Sequence, residues 1–361
     1  MKKIMPHKLS RAILLTLTLS APVFITGCDG NNEKPAVQAA DSTSAGAVKN
    51  TSVQKTSGTE NQAGKEAEKS SSEQAAVPEK RTIKIAYLPI THAVPGMELA
   101  DISQKKDLGF DVELIRFSSW TDLIDALNAG KVDAAFSLVE LIMKAKEQGV
   151  DVSLAALAHH DGNVVVIGNN YTSMADIKGK TFAIPHRQST HYILLNDALA
   201  KEGLTIDDIK ITEMAPPEMP AALASNQIAG YCVAEPFGAR AVSLNLGKVL
   251  YQSHELWPDS VCCGLALNNK FLAEHPELAQ KLVDAVKEAG AHLDADHEHS
   301  IEVLTRNLNA PKEILELSLK WISFSNLDIT REQYESLREK VVKYGLSENP
   351  PAYEDIVINV K

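Results

Sequence analysis

Cysteine is scarce in this chain, with four residues in 361. Cys28 stands alone near the start, and Cys232, Cys262 and Cys263 follow much later. Three cysteines in a large folded body do not make a disulfide framework. A bond between the sequence neighbours Cys262 and Cys263 would be strained, so buried free thiols are expected. Positive charge is also in deficit: 36 Lys and Arg against 47 Asp and Glu give a net charge of −11. Phosphate binding needs a basic footprint, so nucleic acid is excluded as a partner. A local pocket can still oppose the global field and admit an anion. No apolar run reaches the roughly 20 residues of a membrane span. The best candidate, Ala12 to Ile25, is shorter and is interrupted by Thr16, Thr18 and Ser20. A G-x-S-x-G elbow, an H-E-x-x-H helix and a Walker loop are all missing, which argues against an enzyme.

What the front end does hold is an address. Lys2, Lys3, Lys8 and Arg11 precede the short apolar run with no acidic residue among them. This is the pattern of a secretory signal. Its end, Ile25-Thr26-Gly27-Cys28, resembles the lipobox of bacterial lipoproteins, which implies lipidation at Cys28. Each buried CH₂ favours membrane attachment by about 0.8 kcal/mol, so several acyl chains hold firmly. Asp29 resembles the signal that retains such proteins on the periplasmic face of the inner membrane in Gram-negative hosts. Residues 29–80 contain almost no aromatic or large aliphatic side chains. Such a segment cannot offset its ordering entropy by burial. It reads as a disordered tether with an end-to-end distance of about 40 Å.

The remaining 280 or so residues can form one large domain or two lobes. Strand signals at 82–88, 110–115 and 132–136 alternate with helical ones, including a helix from Thr121 to Ala129 with Ser119 as N-cap. Short strands follow at 152–158 and 164–167. The pattern then restarts with strands at 180–184, 209–212 and 230–233. Ala126-Leu127 and Ala222-Leu223 occupy matching places, 96 residues apart. Alternating strands and helices imply βαβ units and largely parallel sheets. The expected fold class is α/β, with two similar lobes. After a last strand through Leu267 the chain is helical, and these helices are expected to pack on the first lobe. The expected boundaries are 1–28 leader, 29–80 tether, 81–170 with 255–361 as lobe 1, and 171–254 as lobe 2. Two crossings, near 168–175 and 250–260, would make a hinge.

Three stretches carry a family resemblance: Ala183-Ile184-Pro185-His186-Arg187-Gln188-Ser189-Thr190-His191, Ala215-Pro216-Pro217-Glu218-Met219, and Gly230-Tyr231-Cys232-Val233-Ala234-Glu235-Pro236-Phe237. His254-Glu255-Leu256-Trp257-Pro258 fits with them. Residues 81 to about 345 resemble the substrate-binding proteins of ABC importers for nitrate, sulfonate, taurine and bicarbonate, a group that includes thiamine-precursor binders. The nitrate and bicarbonate branch is most similar. The resemblance implies a periplasmic binding protein type II fold, with a hinge and a ligand cleft between its lobes. It also implies a monomer that captures a small molecule outside the cytoplasm and delivers it to an ABC permease and ATPase. A solute sensor for a signalling partner would read the same way, and a thiamine-precursor enzyme is a weaker alternative.

Ligands of open α/β sheets sit beyond the carboxyl ends of the strands. That rule selects Thr91 and His92, Ser119 and Trp120, Ser137, and Ser189, Thr190 and His191. It also selects Glu235, with a hinge role as the alternative. His159, His160 and Asn163 lie in the turn between two strands. The Ser189-Thr190-His191 turn opens a helix, whose free N–H groups favour an anion. The resemblance places Trp120, Asn163 and His191 where nitrate binders hold their pocket. Nitrate binders carry a lysine after the Trp-Pro segment, whereas this chain reads Pro258-Asp259-Ser260-Val261-Cys262-Cys263. That departure leaves open a neutral or zwitterionic heterocycle stacked on Trp120. No cofactor and no metal is expected. His297 and His299 read as a solvated helical face, and His159-His160 mark the place where a metal assisting capture would sit.

Overall fold

The computed structural model describes residues 80–358. The leader, Cys28 and nearly all of the tether expected from the sequence lie outside these residues. Among the described residues no helix is long and apolar enough to cross a membrane.

The strands are β1 Thr82–Tyr87, β2 Asp111–Arg116, β3 Ala134–Leu138, β4 Val152–Leu157, β5 His160–Asp161 and β6 Asn163–Gly168. They continue with β7 Thr181–Ile184, β8 Lys210–Glu213, β9 Gly230–Ala234, β10 Gly247–Gln252, β11 Cys263–Asn268 and β12 Ile322–Ser323. Two five-stranded sheets result, ordered β2-β1-β3-β11-β4 and β10-β6-β9-β7-β8. Read from β8, the second order repeats the first: three parallel strands, one antiparallel strand, then an edge strand. The internal repeat expected from the sequence is therefore present. Four strands of each sheet run in one direction, as expected of largely parallel sheets, and one is reversed. In each sheet the fourth strand, β11 or β6, runs antiparallel to both its neighbours.

The first crossing also differs from expectation. β6 pairs with β9 and β10, so it belongs to the second sheet, and the chain changes lobes at 158–162 rather than near 168–175. The reason is local. Asp161 and Gly162 both adopt positive φ, 57° and 74°, and turn the chain out of the first sheet. The apolar run Val164-Val165-Val166-Ile167 is wholly buried, as an interior strand requires. The return crossing follows β10, where the Ser253 hydroxyl donates to Asp161 Oδ1 at 2.9 Å and ties the two crossings together.

The helices that matter for the site begin at strand ends: α1 Val94–Ser103, α2 Trp120–Asn128, α3 Val139–Glu147 and α4 Thr190–Ala200. Ser119 caps α2, accepting from Asp122 N at 3.1 Å, and Leu123 and Leu127 bury the helix against the first sheet. Helix α1, which opens on Val94-Pro95, has no counterpart in the sequence reading.

The C-terminal helices do more than cover the first lobe. Helix Pro276–Ala295 packs on α1, as expected, but Lys312–Ser318 packs on Phe237–Ser243 of the second lobe. From helix Arg331–Lys343, Lys340 Nζ reaches Asp197 on α4 at 2.7 Å, and Tyr344 OH donates to the same carboxylate. These helices therefore bridge both lobes.

Gly162 gives a test of the first crossing. An added Cβ would lie 2.7 Å from Ile322 Cδ1, at a backbone φ that L-residues avoid. Left-handed backbone and overpacking together predict that Gly162→Ala destabilises by about 2 kcal/mol or more. Denaturant unfolding of the variant checks this, with an unchanged midpoint as the contrary result.

Candidate functional site

The carboxyl ends of the parallel strands in both sheets converge on one buried cluster of polar side chains, here termed the chamber. From the first lobe, β1 leads to Thr91 and His92, β3 to Leu138 and Glu140, and β4 to His159. From the second, β7 leads to Ser189, Thr190 and His191, and β9 to Glu235. The antiparallel strands add their amino ends to the same edge, β6 bringing Asn163 and β11 bringing Cys262 and Cys263.

The lobes meet through short polar contacts. Thr91 donates twice to the Glu235 carbonyl, from its amide at 3.0 Å and its hydroxyl at 2.7 Å. His92 Nε2 lies 2.9 Å from the Gly162 carbonyl, an acceptor, so this nitrogen carries the proton and Nδ1 holds the lone pair. Thr190 Oγ1 lies 2.5 Å from Glu140 Oε1 and 2.5 Å from the Val261 carbonyl. One hydroxyl hydrogen cannot serve two acceptors. A protonated Glu140 resolves this by donating to Thr190, which donates onward to Val261. Burial pushes the Glu140 carboxyl well above the ordinary range, with the Cys262 charge adding to it, in agreement with that arrangement.

Around His92 the side chains close in. Its Nδ1 is 3.5 Å from Cys263 Sγ and 3.9 Å from Cys262 Sγ. The two sulfurs are 3.8 Å apart, and Cys262 donates to Asn163 Oδ1 at 3.8 Å. The His92 and His159 rings have centroids 3.5 Å apart. Several buried atoms have no partner within the protein: both ring nitrogens of His159 and of His191, Asn163 Nδ2, Ser137 Oγ, Glu140 Oε2 and Glu235 Oε1. Each such atom disfavours burial unless something bonds to it.

The electrostatics favour the neutral form of His159, His191, Glu140, Glu235 and Cys263, but not of Cys262. Burial holds His159 and His191 down to about 4 and pushes Glu235 up to about 8. Burial also raises Cys262, but the close approach of Cys263, His159 and His92 more than reverses this and brings its thiol well below the usual range. Cys263 goes up, through burial and the neighbouring Cys262. Among the described residues, the buried charged side chains include no lysine or arginine.

The selected residues divide into groups. Thr91, His92, Ser137, Asn163, Thr190, His191 and Glu235 are wholly or almost wholly buried at the lobe junction. Trp120 is buried at the start of α2 with its Nε1 unpartnered. Ser119 and Ser189 are engaged as helix caps, Ser189 accepting from Tyr192 N. His160 is turned away, its Nε2 3.0 Å from the Asn326 carbonyl, and His159 faces the cluster instead. Cys262, Cys263 and Glu140 escaped the strand-end rule. The cysteines precede an antiparallel strand, whose amino end lies where parallel strands finish. The signal available was the Cys-Cys pair directly before a strand. His299 is not on a solvated face: its Nε2 lies 2.9 Å from Glu98, which also meets His292 at 3.0 Å. Cys232, Cys262 and Cys263 are buried free thiols, as expected. A separate cleft of about 380 Å³ lies at the rim, lined by Leu88, Phe117 and Arg116 from one side and Pro216, Pro217 and Glu218 from the other.

The buried groups set a pH dependence of opposite signs. Between pH 6.5 and 4 the unfolded chain protonates histidines that the folded chain keeps neutral, so stability falls as pH falls. Glu235, ordinarily at 4.5 and here at about 8, keeps its proton in the fold. Its contribution is complete below pH 4.5 and is lost as pH rises toward 8. Glu235→Gln copies the protonated carboxyl and should flatten the thermal stability profile between pH 6.5 and 8. Calorimetry at stepped pH checks this, and a decline as steep as wild type would count against the assignment.

Comparison with known proteins agrees with this architecture. The sequence model described as the NMT1-like family matches residues 76–306. The ligand-binding component of an ABC-type import system from Staphylococcus aureus, solved with zinc bound, is 36% identical. It superposes with a TM-score of 0.73 over 77% of this chain and 97% of that one. The periplasmic nitrate-binding protein NrtA from Synechocystis PCC 6803 shares the fold at 19% identity, with a TM-score of 0.68 over 74% of this chain and 83% of that one. The bicarbonate transport ATP-binding protein CmpC of Synechocystis is 26% identical over 269 residues, covering 68% of this chain but only 39% of that longer relative. The chain belongs to the NMT1-like family and has the periplasmic binding protein fold.

Proposed function

We propose that this chain is the extracytoplasmic solute-binding lipoprotein of an ABC importer. The observation that carries the reading is the cluster of buried polar atoms at the lobe junction that have no partner within the protein. Such atoms make the closed form favourable only when a solute bonds to them. Closure is then a population shift: the solute touches both lobes in the closed state alone and stabilises it. A permease and ATPase would receive the solute, and the protein itself would perform no chemistry. Cys28 would carry the lipid and residues 29–80 would serve as tether.

The chamber narrows the solute. Among the described residues no lysine or arginine is buried, so a bare oxyanion such as nitrate, bicarbonate or a sulfonate would rely on neutral N–H and O–H donors alone. The helix terminus expected to hold the anion instead meets Glu140 through Thr190. A neutral heterocycle or a metal cation suits this lining better. The zinc bound to the Staphylococcus relative puts a metal among the solutes to be tested.

Four outcomes follow. A solute at 100 times its Kd should stabilise the protein by about 2.7 kcal/mol. His191→Ala should reduce that shift, whereas Ser119→Ala should cost about 1 kcal/mol of stability and leave binding intact. Thermal-shift titration with nitrate, bicarbonate, sulfonates, thiamine pyrimidine and divalent metals reads both, and wild-type affinity in His191→Ala would remove that residue from the site. Asp197→Ala breaks the bridge to Lys340 and Tyr344 without touching the chamber. It should weaken binding several-fold by lowering the closed population, as titration calorimetry would show. Cys28→Ser should move the protein from membrane to soluble fractions, and a variant still pelleting after a salt wash would refute the anchor.

A further inference from the structure

We infer that the chamber is built to hold a thiophilic metal ion, of the zinc or cuprous class, between His92, His159, Cys262 and Cys263. This rests on the reading that the chamber is the solute site, and names the solute class.

The donors are already at coordination spacing. One nitrogen or sulfur from each of the four residues lies within 4.8 Å of the others. Around a tetrahedral ion with metal–sulfur bonds of about 2.3 Å and metal–nitrogen bonds of about 2.0–2.1 Å, two sulfurs stand about 3.8 Å apart, and a sulfur and a nitrogen about 3.5–3.6 Å. The two sulfurs are 3.8 Å apart, and His92 Nδ1 lies 3.5 and 3.9 Å from them.

The surroundings prepare the ligands. The Gly162 carbonyl takes the Nε2 proton of His92, leaving the Nδ1 lone pair toward the sulfurs. Imidazole ligands of metals are commonly fixed in this way by a carbonyl behind the ring. His159 is 2% exposed and has no partner for either nitrogen, which coordination at one of them would relieve. Two thiols and two imidazoles select a soft or borderline ion over calcium or magnesium, which require oxygen donors. The nearby carboxylate, Glu140, is engaged with Thr190. Binding a divalent ion as two thiolates would release the thiol protons and leave a neutral centre, which suits a chamber without buried lysine or arginine.

The four donors arise from β1, β4 and β11, all strands of the first sheet. The second lobe supplies Asn163, already bonded to Cys262, and His191, whose nitrogens are both unpartnered. An ion could thus be taken up by one lobe and then covered by the other. That division suits a transported ion better than a structural one.

The test uses the Cys28→Ser chain, otherwise complete, stripped of metal and reduced. Zn(II) and, without oxygen, Cu(I) are titrated against competing chelators, and Co(II) serves as the spectroscopic probe. One ion per chain is expected, with thiolate-to-cobalt charge transfer and tetrahedral d–d bands. Cys262→Ser with Cys263→Ser should abolish the charge transfer. His159→Gln removes a side chain that makes no hydrogen bond, so it should fold, and it should lower affinity by about 100-fold or more. His191→Ala, acting on the coordinated residues from outside, should lower it by roughly 10-fold or more. Undiminished affinity in His159→Gln and in the double serine variant would place the ion elsewhere and overturn the inference. No metal binding, together with a His191-dependent shift by an organic solute, would overturn the metal and keep the chamber as solute site. No binding of either kind would remove both.

Discussion

Polar groups sealed between two lobes lose water as a partner, and that constraint governs the rest of this molecule. An unpaired buried donor or acceptor costs about 1–3 kcal/mol. The chamber answers it by neutrality and by relay. Glu140 keeps its proton so that Thr190 can bond to Val261, and Thr91 makes the Glu235 carbonyl an acceptor for two donors at once. What remains unanswered sits on His159, His191 and their neighbours. In an open form those atoms would be hydrated. On the proposed function, a ligand would partner them in the closed form, and the same constraint would make closure responsive to solute.

Topology determines which residues come under that constraint. Each sheet carries an antiparallel strand in its fourth position, and the strand's amino end shares an edge with the carboxyl ends of the parallel strands. The chamber is therefore lined by segments of both chain directions. The C-terminal helices add a latch on the outside, where Lys340 and Tyr344 hold Asp197 of the second lobe.

Much of the fold was legible because it rests on local periodicity. The alternation in 82–87, the Ser119 cap of α2 and the 96-residue repeat all report short-range rules that hold whatever the chain later meets. Helix α1 escaped because it lacks a polar cap and a clear apolar stripe. Lobe membership of β6 escaped because a wholly apolar run pairs equally well in either sheet. The candidate cluster was legible where residues follow parallel strands, as with His92, Thr190 and His191, which the fold buries together. It was illegible at Cys262 and Cys263, because strand direction is a property of pairing and leaves no mark in the strand itself.

The sequence by itself determined an acidic α/β body of two repeated halves, with few thiols. It also determined that polar residues gather at strand ends, since chain-local propensities and hydropathy suffice for both. Only the tertiary structure decided that His159 rather than His160 turns inward, that Ser119 and Ser189 are spent on helix caps, and that two cysteines 170 residues from His92 lie against its ring. Those outcomes depend on long-range pairing and on burial from both lobes, which no window of sequence contains.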